Sequence, residues 1–292
     1  MNFVEEQVFE ESLENLETEP WGTELTPVET VQHGGKPLLL KRDDFYERAG
    51  VRGGKVRSAW FLCTRNEGGV KPVGLCTAGA KTSPQINIIA HIAKELGVPL
   101  RAHCPSGKLG VEVESARNLG AEIVQHKPGY NTVIVARARE DAEDRGWLNV
   151  PFGMECREAV LMTALQVGNL PEEVKHIVMP VGSGMSFCGV LWGIRYFGLE
   201  DRVRVTGVQV GATPWKRIEK YAPSEWEYYA EVVKSPMKYE EFVEDSHLGK
   251  EGMGEPLIEI DPIYEAKCKP WIEEALNEDE EGSVLFWIVG LR

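Results

Sequence analysis

Between residues 71 and 145 the chain repeats one rhythm. A short apolar run is followed by a longer stretch whose apolar residues recur three and four apart, and a glycine often closes the cycle. Val73, Leu75 and Cys76 mark a buried strand within 71–78. Ile86, Ile89, Ile92, Ala93 and Leu96 then share one face of a predicted helix over 83–96, which Gly97 stops. A strand over 100–104, a helix over 109–119 closed by Gly120, a strand over 122–126 and a charged helix over 132–145 follow. Strands separated by helices imply parallel pairing with right-handed crossovers.

Beyond this module the spacing predicts a helix over 158–167, a strand over 176–181, a helix over 189–196 and strands over 203–210 and 284–289. Ahead of it, Phe3, Val8, Phe9, Leu13 and Leu16 suit a short amphipathic helix, followed by an extended Pro20-Trp21 segment and a strand near 37–41. The stretch 214–259 is irregular and rich in Tyr, Trp and Glu, and it yields no element.

Composition narrows the class. A chain of 292 residues with 42% hydrophobic and 27% charged positions is globular, and one or two domains are expected. No apolar run approaches a membrane span, and the acidic N-terminus resembles neither a signal nor a transit peptide. A net charge of −14 argues against a broad nucleic-acid surface but leaves room for a local phosphate pocket. The six cysteines form no Cys-x-x-Cys pair and no Cys-His cluster at ligand spacing, so free thiols in the cytoplasm and no metal site are predicted.

Candidate chemistry sits in four stretches. In Arg52-Gly-Gly-Lys-Val-Arg-Ser58, two glycines allow a tight turn, and Lys55 stands at the head of a predicted helix. A lysine shielded from water is a nucleophile able to form a Schiff base with an aldehyde; the same signal also fits a solvated turn. Val181-Gly-Ser-Gly-Met-Ser186 opens the next helix after a strand, where backbone N–H groups favour an anion; it fits an ordinary turn as well. Ser83 is either an N-cap or a ligand contact. In Asp261-Pro-Ile-Tyr-Glu265, Asp261 and Pro262 fit a helix start, which leaves Tyr264 and Glu265 unexplained.

With Lys41-Arg-Asp-Asp44, these stretches in this order resemble the pyridoxal-phosphate enzymes of fold type II, the tryptophan-synthase-β type. Within that type they look most like the 1-aminocyclopropane-1-carboxylate deaminase and D-cysteine desulfhydrase group. The resemblance implies two parallel-sheet α/β domains with the cofactor in the cleft between them. The larger domain would be 1–65 with 161–292, and the smaller, inserted domain 66–160. It implies pyridoxal 5'-phosphate as cofactor, a small amino-acid substrate, carbanion-forming elimination or deamination, and a homo-oligomer. Decarboxylation, an amino-acid unit on a larger carrier, and a silent binding relative are the alternatives.

The resemblance also assigns roles. Lys55 would carry the cofactor, Gly182, Ser183, Gly184 and Ser186 would cradle its phosphate, Glu265 would meet the ring nitrogen, and Tyr264 and Ser83 would face the substrate. Departures are visible: Met185 replaces a glycine, Ser58 a second lysine and Val289 a threonine, and relatives continue past the end of the last strand with a tail. Pro84 stands where relatives have asparagine, and the reading passes that hydrogen bond to Gln85.

Overall fold

The computed structural model describes residues 3–19, 24–64, 71–127, 131–211, 213–238, 241–249, 257–279 and 282–290. Pro20 and Trp21 lie outside them. In chain order the elements are α1 (Phe3–Glu17), β1 (Val28–His33), β2 (Lys36–Arg42), β3 (Glu47–Arg48), β4 (Val51–Arg52), α2 (Gly54–Thr64), β5 (Leu75–Ala78), α3 (Pro84–Leu96), β6 (Leu100–Pro105), α4 (Val111–Asn118), β7 (Glu122–His126), α5 (Asn131–Arg145) and β8 (Leu148–Val150). They continue with α6 (Arg157–Ala164), β9 (His176–Val181), α7 (Met185–Tyr196), β10 (Arg204–Gln209), α8 (Trp215–Tyr221), β11 (Ala230–Lys234), β12 (His247–Leu248), β13 (Ile258–Glu259), α9 (Lys269–Glu278) and β14 (Val284–Ile288).

These divide into two compact units, Met1–Tyr46 with Ala159–Arg292, and Glu47–Glu158. The sequence reading draws the inner boundaries at 65/66 and 160/161. By compactness β3, β4 and α2, with Lys55, group with the smaller unit.

The larger unit is built on a six-stranded sheet in the order β1-β2-β14-β9-β10-β11. β1 pairs antiparallel with β2, and every other neighbour pairs parallel. β9 and β14 are buried at every position, as expected for central strands covered on both faces. Leu38, Leu40, Val178, Phe286 and Ile288 share one core with Ile272 and Leu276 of α9. The amphipathic reading of α1 holds at Phe9, Leu13 and Leu16, which are buried, but not at Val8, which is exposed; Phe9 stacks on Trp192 with centroids 4.3 Å apart. The stretch without a sequence assignment contains α8 and β11, which extends the sheet beside β10.

The smaller unit carries a four-stranded parallel sheet in the order β7-β6-β5-β8. Successive residues of β5 serve opposite faces. Thr77 meets Gln85 of α3, while Cys76 meets Asp141 of α5. Pro84 at the first turn and Gly97 in the left-handed region (φ 62°) bound α3 as predicted. Among the described residues no helix is long and apolar enough to cross a membrane.

Candidate active site

In an open parallel sheet, ligands bind beyond the carboxyl ends of strands, where the strand order switches direction. In the larger unit the chain passes from β9 outward to β10 and β11, while β14 lies on the other side of β9. The carboxyl ends of β9 and β14 are therefore the expected place, and the glycine turn and the Glu265 segment converge there.

The turn Gly182-Ser-Gly184 leads straight into α7, which starts at Met185, four residues earlier than the spacing predicts. Gly184 has φ 94°, and a Cβ there would come within 3.1 Å of Pro214. The turn therefore needs glycine on both conformational and steric grounds. Gly182, Ser183 and Ser186 are half-buried, whereas Met185 is buried. The Met185 amide donates to Ser183 Oγ over a long 3.5 Å. The methionine that replaces the family glycine thus sends its side chain into the core.

Tyr264 lies against this turn, since a Cβ on Gly182 would be 3.5 Å from Tyr264 Cε1. Asp261 Oδ1 accepts the amides of Ile263 and Tyr264, each at 2.8 Å. Asp261 thus closes a turn over 262–264 and does not cap a helix: a 3-10 turn over Glu265–Cys268 follows without a side-chain cap, and the α-helix begins only at Lys269. That turn buries Glu265 completely. Glu265 Oε1 accepts the Gly290 amide just past β14 at 3.2 Å, and Oε2 is buried with no hydrogen-bond partner. Burial, aided by the nearby Asp261 charge, lifts the Glu265 carboxyl from 4.5 to about 8. Burial therefore favours the protonated carboxyl, and Oε2 is the oxygen left open to a partner.

In the smaller unit Gly53, at φ 120°, turns the chain from β4 into α2, and Lys55 is half-buried in the first turn of that helix. Ser58, which replaces the second lysine, is buried. Ser83 precedes α3 in an extended conformation without a side-chain cap bond, so its hydroxyl is not used for capping. Gln85 is placed differently from the expectation. Its Nε2 donates to Thr77 Oγ1 at 3.2 Å and to the Pro151 carbonyl at 2.8 Å, tying α3 to the sheet. The donor that was to replace the family asparagine is spent inside the unit. Lys41, Arg42, Asp43 and Asp44 are buried struts: Lys41 Nζ donates to the Thr26 carbonyl at 2.8 Å, and Arg42 pairs with Asp44 at 2.7 Å.

A parallel α/β sheet with a glycine turn, a helix N-terminus and a buried carboxyl at its carboxyl edge is an arrangement able to receive an anion at the turn. Residues 16–245 match the family model described as pyridoxal-phosphate dependent enzyme, and the chain belongs to that family of cofactor-dependent enzymes. The match stops short of Tyr264 and Glu265.

The fold agrees. A solved structure described as an ACC deaminase homologue superposes with a TM-score of 0.72 at 19% identity, covering 91% of this chain and 89% of that one. Processed threonine deaminase isoform 2 of Solanum lycopersicum gives 0.65 at 13% identity, over 99% and 85%. In sequence, the biosynthetic L-threonine dehydratase of Pasteurella multocida is 25% identical over 180 residues. That match spans 60% of this chain and about a third (33%) of that relative's length.

Proposed function

We propose that this enzyme acts on a small amino acid by carbanion-forming elimination or deamination, as a cytoplasmic homo-oligomer. The observation that carries the reading is the buried, unpartnered Oε2 of Glu265, next in sequence to Tyr264, which lies against the glycine turn. A buried polar atom without a partner costs about 1–3 kcal/mol, and a basic ring nitrogen set against it would remove that cost. The residues fit pyridoxal phosphate on a second count, because the turn is narrow, lacks Cβ atoms at 182 and 184, and presents amide donors at the start of α7. When bound, the cofactor supplies an electron sink for the substrate's Cα.

The protein's own groups then divide the work. Gly182, Ser183, Gly184 and Ser186 hold the phosphate by backbone and hydroxyl donors. Glu265 would meet the ring nitrogen, where its carboxyl would favour the protonated ring. Lys55 would be the residue that holds the cofactor's aldehyde end, and its Nζ would carry the substrate's Cα proton. Tyr264 beside the turn and the uncapped hydroxyl of Ser83 orient the substrate.

Glu265→Gln keeps the size and the bond to Gly290 but removes the ionisable carboxyl. Turnover should fall by about 10²–10³-fold while the cofactor still binds, comparable to the loss of one electrostatic transition-state contact. Exchange of the substrate Cα proton in deuterated water should slow in parallel, and unchanged exchange would remove the main support for this mechanism. The cofactor-free protein gives an independent check. A carboxyl raised in the folded state contributes stability that is intact below its unfolded value of 4.5 and is lost as pH rises to about 8. Thermal unfolding of the parent should therefore weaken across that window relative to Glu265→Gln.

A further inference from the structure

On the face of the smaller sheet opposite Gln85, three side chains of different chemistry converge. Cys76 Sγ of β5 lies 3.9 Å from Asp141 Oδ2 of α5, and His103 Nε2 of β6 lies 3.0 Å from the same oxygen. Their three donor atoms all fall within 4.8 Å of one another. Tetrahedral zinc with sulfur, nitrogen and oxygen ligands at its usual bond lengths sets donor atoms about 3.4–3.6 Å apart. The observed separations bracket that value.

We propose that Cys76, His103 and Asp141 form a binding site for one divalent ion of the zinc class, with water as the fourth ligand. The donor set excludes a calcium or magnesium site, because a thiolate and an imidazole prefer a softer ion. The ion would clamp β5, β6 and α5, and the proposal is independent of the cofactor chemistry above.

The surroundings supply what such a site needs. Cys76 and His103 are almost fully buried, whereas the Asp141 side chain is 18% exposed and gives an entry path. His103 Nδ1 lies 2.9 Å from His126 Nε2, and the rings stack at 5.1 Å, so a second imidazole fixes the orientation of the first. Burial keeps His103 below its usual pKa and raises the Cys76 thiol to about 12. The thiol therefore keeps its proton until an ion displaces it.

Binding balances as follows. Cys76 loses its thiol proton to water. His103 gives up its Nε2 proton and takes the Nε2 proton of His126 on Nδ1, and His126 is reprotonated on Nδ1 from solvent. One proton is released, and the thiolate and carboxylate neutralise the ion.

Two arginines compete for the same carboxylate. Arg101 Nε donates to Asp141 Oδ2 at 2.5 Å, and Arg145 Nε donates to Oδ1 at 2.8 Å. Against the burial penalty, Arg145, Arg101 and His103 together hold Asp141 well below the usual carboxylate range. Arg145 leaves Oδ2 alone, and Arg101 is already paired with Glu122, to which it can withdraw. In the ion-free protein the thiol and the imidazole serve as hydrogen-bond partners of the same oxygen, and an ion would take their place on it.

Cobalt titration of the tag-free holoenzyme, read as a difference spectrum and by metal analysis after dialysis, tests the site. One ion per chain with a thiolate charge-transfer band and tetrahedral d–d bands is expected, and zinc should abolish the bands. Cys76→Ala, which leaves the ion pairs in place, should weaken binding by at least about a hundredfold, and His126→Ala by about 10–100-fold. Arg101→Gln should tighten binding by removing a competing charge, an effect that a purely structural role would not produce. Absence of the bands in the parent, or bands unchanged in Cys76→Ala, would overturn the proposal, as would weaker binding in Arg101→Gln when its melting temperature matches the parent's.

Discussion

Two glycine turns open helices in this protein, and they put opposite kinds of chemistry on display. At Gly53-Gly54 the turn delivers one side chain, Lys55, into the first turn of α2. At Gly182-Ser-Gly184 it delivers backbone, because two of the three turn residues lack a Cβ and Met185 is buried. A helix N-terminus favours anions in both places. What differs is the residue in the first turn, a lysine in α2 and a buried methionine in α7. Under the proposed function the first turn would serve covalent and proton-transfer chemistry, and the second would hold a phosphate.

The sharpest way to break this comparison is Lys55→Ala. If Lys55 alone supplies the amine, turnover should fall by about 10²–10⁴-fold or more from lost proton transfer. The glycine turn should still retain the cofactor without a covalent bond. Borohydride reduction of the parent followed by peptide mapping should place the label on Lys55. Label on Lys41, Lys81 or Lys267 would reassign the first turn to a structural role.

Ser186→Asp attacks the other side. A carboxylate in the first turn of α7 would face the cofactor phosphate and repel it, and cofactor titration should show substantially weaker binding. Affinity equal to the parent's would move the phosphate site elsewhere.

The smallest effect separates the two turns most finely. Gly53→Ala and Gly184→Ala each force an alanine to positive φ, which costs about 1–3 kcal/mol of stability. Both should lower the melting temperature. Only Gly184→Ala should also weaken cofactor binding, while Gly53→Ala should slow turnover at saturating cofactor. Matching behaviour of the two variants would erase the distinction drawn between the turns.

Much of this was legible in local sequence. The alternating strands and helices of 71–145, the stop at Gly97, and the lysine and glycine turns at helix starts all depend on contacts within a few residues. Hydrophobic period and turn chemistry report such contacts directly. Other features were not legible. Gln85 reads as a free donor, yet folding brings Thr77 and the Pro151 carbonyl to it. The stretch 214–259 shows no period, because β11 is held by its edge pairing with β10 and α8 is only seven residues long. The cysteine spacing predicted no metal site, yet Cys76 and Asp141, 65 residues apart, meet across β5 and α5.

By itself the sequence determined the α/β class, the family, and which residue types stand at the two helix starts, since each is written in neighbours along the chain. Only the tertiary structure decided that β14 inserts between β2 and β9. That insertion carries Gly290 to Glu265, whose side chain is fully buried. Burial is a property of everything packed around a group, so no local pattern could state that the Glu265 carboxyl is pushed upward.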